Sequence, residues 1–198
     1  MEENNVKNKF SKLTVYCGSS NGYDEKYLGV AKALGESFLK HDIGLVYGAG
    51  DKGMMGKISN TILDGGGDVT GVIPQFMVDL GWVNTRVDNL EVVDDMSKRK
   101  QELMSLSDGL IVMPGGIGTM EEFFEALSWS QLKLHFKPIG ILNAYHFYDK
   151  LIALIDHLIA EGFCDEKTAD LIVVDDDPER LLEKMAKWKH HGLTKSFS

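Results

Sequence analysis

The sequence predicts an α/β fold: a single doubly wound parallel sheet, Rossmann-like, with helices on both faces. Three observations support this prediction. Short apolar runs alternate with amphipathic stretches about seven times along the 198 residues, which is typical of repeated strand–helix units. Several runs lack polar interruptions, as expected for strands buried on both faces. Three runs end directly in loops of small residues, and ligands bind such folds at the carboxyl ends of the strands.

Each element has its own local signal. Apolar runs predict strands at 13–17, 43–47, 68–73, 90–93, 110–113, 138–142 and 171–174. Apolar residues at helical spacing predict helices over about 24–40, 54–62, 97–106 and 147–160. Another helix is predicted to open at Thr119, a good N-cap residue, with acids in its first turn. The last helix is predicted to have Asp177 as its cap and Pro178 at its first position.

Composition indicates a soluble globular protein with one domain spanning residues 1–198, of which 1–11 and 190–198 are expected to be flexible ends. Hydrophobic residues make up 43% and charged residues 26% of the chain, which is ordinary for such proteins. The net charge of −9 disfavours nucleic acids and anionic membranes as partners, so an anionic small ligand needs a locally basic pocket. Two cysteines and six histidines show no ligand spacing, so we expect no metal and a cytoplasmic location.

The most informative stretch is the loop from Pro114 to Thr119, which follows an apolar run. Its three glycines, Gly115, Gly116 and Gly118, allow a sharp turn and a close approach to a ligand. A strand, a glycine turn and a helix start together present free backbone N–H groups at the positive end of a helix dipole. This arrangement predicts an anion site, most naturally for a phosphate.

The same residues also allow a purely structural interpretation. Thr119 and Glu122 have the spacing of a capping box, in which the glutamate bonds back to the N–H of the cap residue. A capping box needs no loop of three glycines, however. Glu121 and Glu122 would also repel a bound phosphate unless they served another purpose.

Two further loops of small residues follow predicted strands. Residues 18–22 contain glycines and serines that either line a ligand or form a simple turn. Residues 48–53 match the dinucleotide string G-x-G-x-x-G. The next strand lacks the acid at its end that would hold a ribose hydroxyl. We therefore interpret this loop as a second glycine wall of the same site rather than as an NAD pocket.

Three large side chains raise further questions. Arg99 falls on the apolar stripe of its helix, where it either needs an anionic partner or covers apolar surface with its stem. Trp129 lies two turns beyond Glu122 and could stack on a base, although such a residue is more typical of a core or an interface. Trp82 lies in the stretch 75–89, predicted to be a long, lid-like loop with short helical or extended pieces.

Together these motifs resemble the Lonely Guy (LOG) family, whose members were long labelled "possible lysine decarboxylase". The central match is Pro114 to Glu122, which fits P-G-G-x-G-T-x-x-E. Further matches are 17–20, 46–56, 71–74 and 96–100, so the resemblance covers roughly residues 13–187. Two positions depart from the pattern: Ala49 replaces a usual glycine, and Ile117 replaces a frequent aromatic residue.

The resemblance implies a nucleoside 5′-monophosphate phosphoribohydrolase that splits AMP-like cytokinin nucleotides into free base and ribose 5-phosphate. It further implies a Rossmann-like homodimer without a cofactor, and it makes Arg99 and Glu122 catalytic. Arg99 would orient the glutamates or assist departure of the base. The substrate-binding positions that it implies are Ser20, Gly48, Gly50, Met96, Lys100, Gly115, Gly116, Gly118, Thr119 and Glu121.

Two other classes of function compete with this one. A non-catalytic nucleotide-binding carrier or sensor would explain the glycine loops equally well, but it would leave Arg99 and Glu122 without a role. A decarboxylase would need pyridoxal phosphate bound to a lysine as a Schiff base, with an acid beside the ring nitrogen. No motif in the sequence identifies a lysine as the residue that would form this Schiff base.

Overall fold

A computed structural model describes residues 10–190 of the chain. It contains one sheet of seven parallel strands in the order β4-β3-β2-β1-β5-β6-β7. The strands are β1 (Lys12–Tyr16), β2 (Gly44–Tyr47), β3 (Val69–Pro74), β4 (Asn89–Val93), β5 (Gly109–Val112), β6 (Ile139–Leu142) and β7 (Ile172–Asp175). The predicted strands are therefore confirmed, with boundaries shifted by at most one residue.

Helices connect the strands. They are α1 (Lys26–His41), α2 (Gly53–Asp64), α3 (Gln75–Asp79), α4 (Met96–Ser105), α5 (Ile117–Gln131), α6 (Asp149–Ala160) and α7 (Pro178–Lys187). Short 3₁₀ turns lie at Ala144–His146 and Glu166–Leu171. Helix α7 has the predicted cap, since the Asp177 side chain accepts a hydrogen bond from the Arg180 N–H and Pro178 follows it. Across the described residues no helix is both long and apolar enough to cross a membrane.

The two faces of the sheet carry separate cores, as the doubly wound prediction requires. Side chains alternate along each strand: Leu13 and Val15 of β1 join the core beneath α1, α2 and α7, whereas Tyr16 joins the core beneath α4, α5 and α6. Phe38 and Phe123 are fully buried representatives of the two cores.

The strand order reverses between β1 and β5, which are hydrogen-bonded neighbours although they are distant in sequence. Helices that leave adjacent strands on opposite faces open a crevice at this point, and ligands bind there in such folds. The loops after β1, β2 and β5 all reach this carboxyl edge. The three loops of small residues therefore converge, as the sequence predicted.

The predicted N-terminal end needs a correction. Phe10 is buried in the core, and the backbone of Ser11 hydrogen-bonds with Asp108 and Gly44. The folded part therefore includes residues that we had assigned to a flexible end. At the other end, the ring of His190 contacts Phe136 and Trp188 edge to face. The remaining residues of the expected flexible ends, 1–9 and 191–198, lie outside the described residues.

The stretch 75–89 is more ordered than a free lid. Helix α3 begins it, and Val83 forms an antiparallel bridge with Gly50. Arg86 then bonds to the side chains of Asn60 and Asp64 on α2. The segment is therefore a fixed wall beside the carboxyl edge of the sheet.

Candidate active site

A cavity of about 540 Å³ lies at the carboxyl edge of the sheet, over the point where the strand order reverses. Loops after β1, β2 and β5 and the first turns of α4 and α5 line it. Seven of the residues proposed from the sequence as binding residues lie in the lining: Gly48, Gly50, Met96, Gly116, Gly118, Thr119 and Glu121. Both candidate catalytic residues, Arg99 and Glu122, line it as well.

Helix α5 begins earlier than the sequence indicated. Gly116 is its N-cap, in extended conformation and without a side-chain cap, and the helix starts at Ile117 with no acid in its first turn. Thr119 is therefore inside the helix, and Glu122 lies too far along it to close a capping box. Both the assignment of Thr119 as the cap and the capping-box interpretation of Glu122 are wrong. The first turn, Ile117 to Thr119, lines the cavity, and its backbone N–H groups, which have no partner within the helix, have no side-chain cap.

The glycines of this loop serve two different purposes. At Gly115 a Cβ would fall 2.2 Å from the Thr119 hydroxyl and 2.9 Å from the Gly18 nitrogen. Position 115 must therefore be glycine for the loops after β1 and β5 to pack together, and Gly18 donates a 3.1 Å hydrogen bond to the Pro114 carbonyl. At Gly116 and Gly118, by contrast, a Cβ would meet nothing within 4 Å. Both residues line the cavity, so the space that a side chain would fill at these two positions is open.

Arg99 is buried and holds two strand ends together. Its Nε donates to the Val72 carbonyl of β3 at 3.1 Å, and its Nη2 donates to the Gly48 carbonyl after β2 at 2.8 Å. Burial lowers the pKa of this guanidinium, and the charge of Glu122 opposes that shift. Arg99 therefore does not simply cover apolar surface with its side chain, and its guanidinium bonds to backbone carbonyls rather than to a single anionic partner. It is a fixed positive charge beside the cavity.

Glu122 sits partly buried on α5, facing this charge. The pKa of its carboxyl is raised to about 7: burial raises it most, and Glu121 and Glu125 add to that, while Arg99 and Lys100 oppose it. The nearby hydroxyl of Tyr16 is buried, and its pKa is raised well above the usual value by that burial and by Glu122. A carboxyl that titrates near neutrality in a cleft is the kind of group that acid–base catalysis uses.

Lys100 lies beside the cavity rather than in its lining. Its ammonium pairs with Glu125 at 2.7 Å and also with Glu121. These contacts tie α4 to α5 and fix the carboxylate of Glu121 at the cavity edge. Glu125 was missed from the sequence, because only the packing of the two helices brings it to Lys100.

Ser20 is exposed and lies outside the cavity lining, whereas its neighbour Ser19 lines it. Gly53, at φ +63°, lets α2 approach this loop so closely that a Cβ would fall 2.4 Å from the Ser19 carbonyl carbon. The serine loop is therefore fixed by backbone packing.

Ala49, the departure from the family pattern, adopts the left-handed region at φ +60° that glycine favours. Its methyl group lies over Gly71 of β3, where a Cβ would be only 2.8 Å away. The methyl therefore points toward the sheet and does not narrow the cavity.

Several lining residues had no clear signal in the sequence. Lys52 lines the cavity beside Asp51 and forms no ion pair with another residue that the structure describes. Met77 and Trp82 line it from the wall after β3. Trp129, in contrast, packs against the core, so its expected structural role is confirmed.

Comparison with known proteins shows the family. The sequence model described as "Possible lysine decarboxylase" matches residues 55–185. The probable cytokinin riboside 5′-monophosphate phosphoribohydrolase LOGL1 of Oryza sativa subsp. japonica is 41% identical over 91% of this chain and 81% of its own length. Cytokinin riboside 5′-monophosphate phosphoribohydrolase LOG4 of Arabidopsis thaliana is 38% identical over 95% of this chain and 89% of its own length.

Solved structures share the fold at lower identity. A molybdenum cofactor binding protein from Rippkaea orientalis has a TM-score of 0.68 at 20% identity, covering 89% of this chain and 95% of that protein. The structural-genomics target TM1055 has a TM-score of 0.69 at 19% identity, covering 89% and 99%. These likenesses concern the fold alone, whereas the sequence relatives carry the family assignment. The chain belongs to the Lonely Guy (LOG) family, which includes the plant cytokinin riboside 5′-monophosphate phosphoribohydrolases.

Proposed function

We propose that this protein hydrolyses the N-glycosidic bond of nucleoside 5′-monophosphates, releasing adenine or an N6-modified adenine together with ribose 5-phosphate. The observation that carries the proposal is the position of Glu122. Its carboxyl has a pKa raised to about 7, and it lies in one cavity with the buried charge of Arg99 and an uncapped helix start.

The phosphate binds at the start of α5. Here Gly116 and Gly118 leave open space, and the N–H groups of the first helical turn have no side-chain cap. Lys52 lines the same cavity and supplies a positive charge near the phosphate. Binding energy gained at the phosphate holds the ribose over the carboxylates, which are a turn further along α5.

The reaction passes through a ribosyl cation similar to the oxocarbenium ion of glycoside hydrolysis. The C1′–N9 bond breaks with its electron pair going to the base, which takes up a proton from solvent, and a water oxygen bonds to C1′. Glu122 stabilises the developing positive charge and accepts the proton of the attacking water. Glu121, held by Lys100, binds the ribose hydroxyls. Arg99 orients Glu122 and lowers the pKa of its carboxyl, so that a fraction of the Glu122 side chains is ionised at neutral pH.

The competing reading is a carrier or sensor that binds a nucleotide without reacting. Solved neighbours of this fold include molybdenum cofactor carriers, but fold does not decide function. A carrier has no need for a carboxyl that is kept in a desolvated place beside a buried arginine. The chemistry of the site therefore favours the hydrolase.

The test is release of ribose 5-phosphate from AMP by the purified protein and by Glu122→Gln. We expect turnover to fall at least about a hundredfold in the variant with near-normal AMP binding, because the phosphate contacts are unchanged. Adenosine should be a poor substrate for the unmodified protein. Tight AMP binding without hydrolysis would favour the carrier, and equal turnover of adenosine and AMP would contradict the phosphate site.

We also propose that the protein is a homodimer. The prediction rested partly on the aromatic residues of α5, of which Phe123 is fully buried and Phe124 is partly exposed. The segment after α5 adds exposed Leu132, Leu134 and Phe136, and exposed apolar clusters of this kind are typical of interfaces. Sedimentation at micromolar concentration should give twice the mass of the chain. A monomeric mass would refute the proposal.

A further inference from the structure

The cavity changes in character from one end to the other. It follows the carboxyl edge of the sheet from β5, where Gly116 and Thr119 line it, to β3 and β4. Three strand spacings of about 4.8 Å place β3 roughly 14 Å from β5. The lining residues at and after β3 and β4 are the apolar Ile73, Met77, Trp82 and Met96, which form an apolar end, together with Arg99. The start of α5 and this apolar end therefore lie at opposite ends of the cavity.

Trp82 stands out within the apolar end. Its side chain is 53% exposed, whereas the other two tryptophans of the chain, Trp129 and Trp188, pack against the core. Burying a tryptophan is among the larger apolar contributions that a residue makes to stability. Trp82 makes only part of that contribution to the folded chain, and its exposed part lines the cavity.

The backbone around Trp82 is nevertheless fixed on both sides. Its N–H bonds to the Met77 carbonyl at 3.1 Å, which closes the turn after α3. On the other side Val83 bridges to Gly50, and the Asn84 N–H bonds to the Ala49 carbonyl at 2.7 Å. The indole is thus an exposed side chain on a rigid support, which is the arrangement expected of a residue preorganised for a ligand.

We propose that Trp82 stacks on the base of the nucleotide and sets the specificity of the enzyme for that base. The inference rests on the proposed function, because a phosphate bound at α5 leaves the base to reach toward β3. A flat indole matches the π-face of a purine. The thioethers of Met77 and Met96 adapt to groups of different shape. This end of the cavity therefore recognises the base by shape and apolar contact, and it accommodates apolar substituents on the purine.

The test compares two ligands, AMP and ribose 5-phosphate, which differ in the base. Calorimetry on the full chain should show that Trp82→Ala weakens AMP binding by about tenfold to a hundredfold, while ribose 5-phosphate binds as before. Trp82→Phe should recover most of the loss, since an aromatic face remains. Leu80→Ala is the matched control, because Leu80 is 56% exposed in the same segment and lies outside the cavity lining.

Tryptophan fluorescence gives a second readout. AMP should change the emission of the unmodified protein and leave that of Trp82→Phe unchanged, since Trp129 and Trp188 lie outside the cavity lining. Equal weakening of both ligands in Trp82→Ala would indicate a structural role and overturn the proposal, as would unchanged AMP affinity. Loss of base stacking in a protein that binds AMP without hydrolysing it would support the role of Trp82 while refuting the hydrolase. Normal hydrolysis of AMP together with no effect of Trp82→Ala on binding would support the hydrolase and refute the role of Trp82.

Discussion

The guanidinium of Arg99 occupies the space that a side chain at position 48 would need. A Cβ on Gly48 would fall 2.0 Å from Nη2 and 3.2 Å from Cζ of Arg99, and the Gly48 carbonyl accepts a hydrogen bond from the same nitrogen. Gly48 therefore belongs to the site for a reason other than ligand contact. Its missing side chain is what allows the buried charge to sit between β2 and β3.

Gly48→Ala should therefore displace Arg99 and impair both stability and turnover. A lost hydrogen bond to a charged group costs about 1.5–3 kcal/mol, so we expect a lower melting temperature and a fall in kcat of tenfold or more. Gly50→Ala is the control for stability in the same loop, since its Cβ would meet only the Met55 side chain, whose flexible end is the nearest group at 3.1 Å, and should change stability little. Unchanged melting and turnover in Gly48→Ala would show that the position of Arg99 does not matter.

Much of this arrangement follows from the sequence, because each of the three loops comes directly after an apolar run. Parallel strands then bring their carboxyl ends to one edge of the sheet, whatever the exact boundaries of each strand. The start of α5 did not follow. Glycine is a poor helix residue, so Gly118 suggested that the helix begins after it, whereas the structure accepts a glycine in the first turn and leaves space above it.

Trp82 illustrates a second limit. Its place depends on a bridge from Val83 to Gly50 and a hydrogen bond from Asn84 to Ala49, which join segments more than thirty residues apart. A repeating pattern of apolar residues within one segment does not indicate contacts between distant segments. The sequence could therefore mark the segment as a candidate lid, but not show that its tryptophan lines the cavity.

The pH dependence of hydrolysis should report the ionisation of Glu122. The ionised carboxylate is the active form, and its pKa is about 7, so kcat/KM for AMP should rise with pH up to about 7 and then level off. Lys100→Met should move this limb to higher pH, because Lys100 lowers the pKa of Glu122. The phosphate of AMP also titrates near pH 6, but its contribution is the same for both proteins. If the rise of kcat/KM with pH were unchanged in Lys100→Met, it would report the titration of the AMP phosphate rather than of Glu122.

The raised pKa also predicts how Glu122 affects stability. An ordinary glutamate has a pKa of 4.5, whereas the folded protein holds the proton of Glu122 up to about 7. Between these values the folded state binds more protons than the unfolded state, so the free energy of unfolding contributed by Glu122 falls as pH rises. Glu122→Gln lacks this dependence. It should match the unmodified protein near pH 4.5 and exceed it by on the order of 1–3 kcal/mol above pH 7.

Denaturant unfolding of both proteins at pH 4.5, 6 and 8 checks this expectation. Glu161→Gln, at an exposed position after α6, controls for the loss of one negative charge. A Glu122→Gln protein that is less stable at pH 8 would mean that the carboxylate supports the fold. The opposite result, a more stable and less active protein, is the signature of a group held in place for function.

The phosphate site can be tested by a pair of glycines that differ only in location. Gly118 in the first turn of α5 and Gly29 in the exposed part of α1 both lie in helices without positive φ, and at neither would a Cβ meet another atom within 4 Å. Alanine is the better helix residue by about 1 kcal/mol. Both Gly118→Ala and Gly29→Ala should therefore be neutral or stabilising in the absence of ligand.

Ligand binding should separate the two variants. The methyl group of Gly118→Ala enters the space where the phosphate would approach the first-turn N–H groups, so affinity for AMP and for ribose 5-phosphate should fall together, by tenfold or more. Gly29→Ala should bind both ligands as the unmodified protein does. Because neither substitution weakens the fold, lost binding in Gly118→Ala cannot be attributed to unfolding. If Gly118→Ala bound AMP normally, the phosphate would have to lie elsewhere, and the serine loop after β1 together with Lys52 would become the alternative.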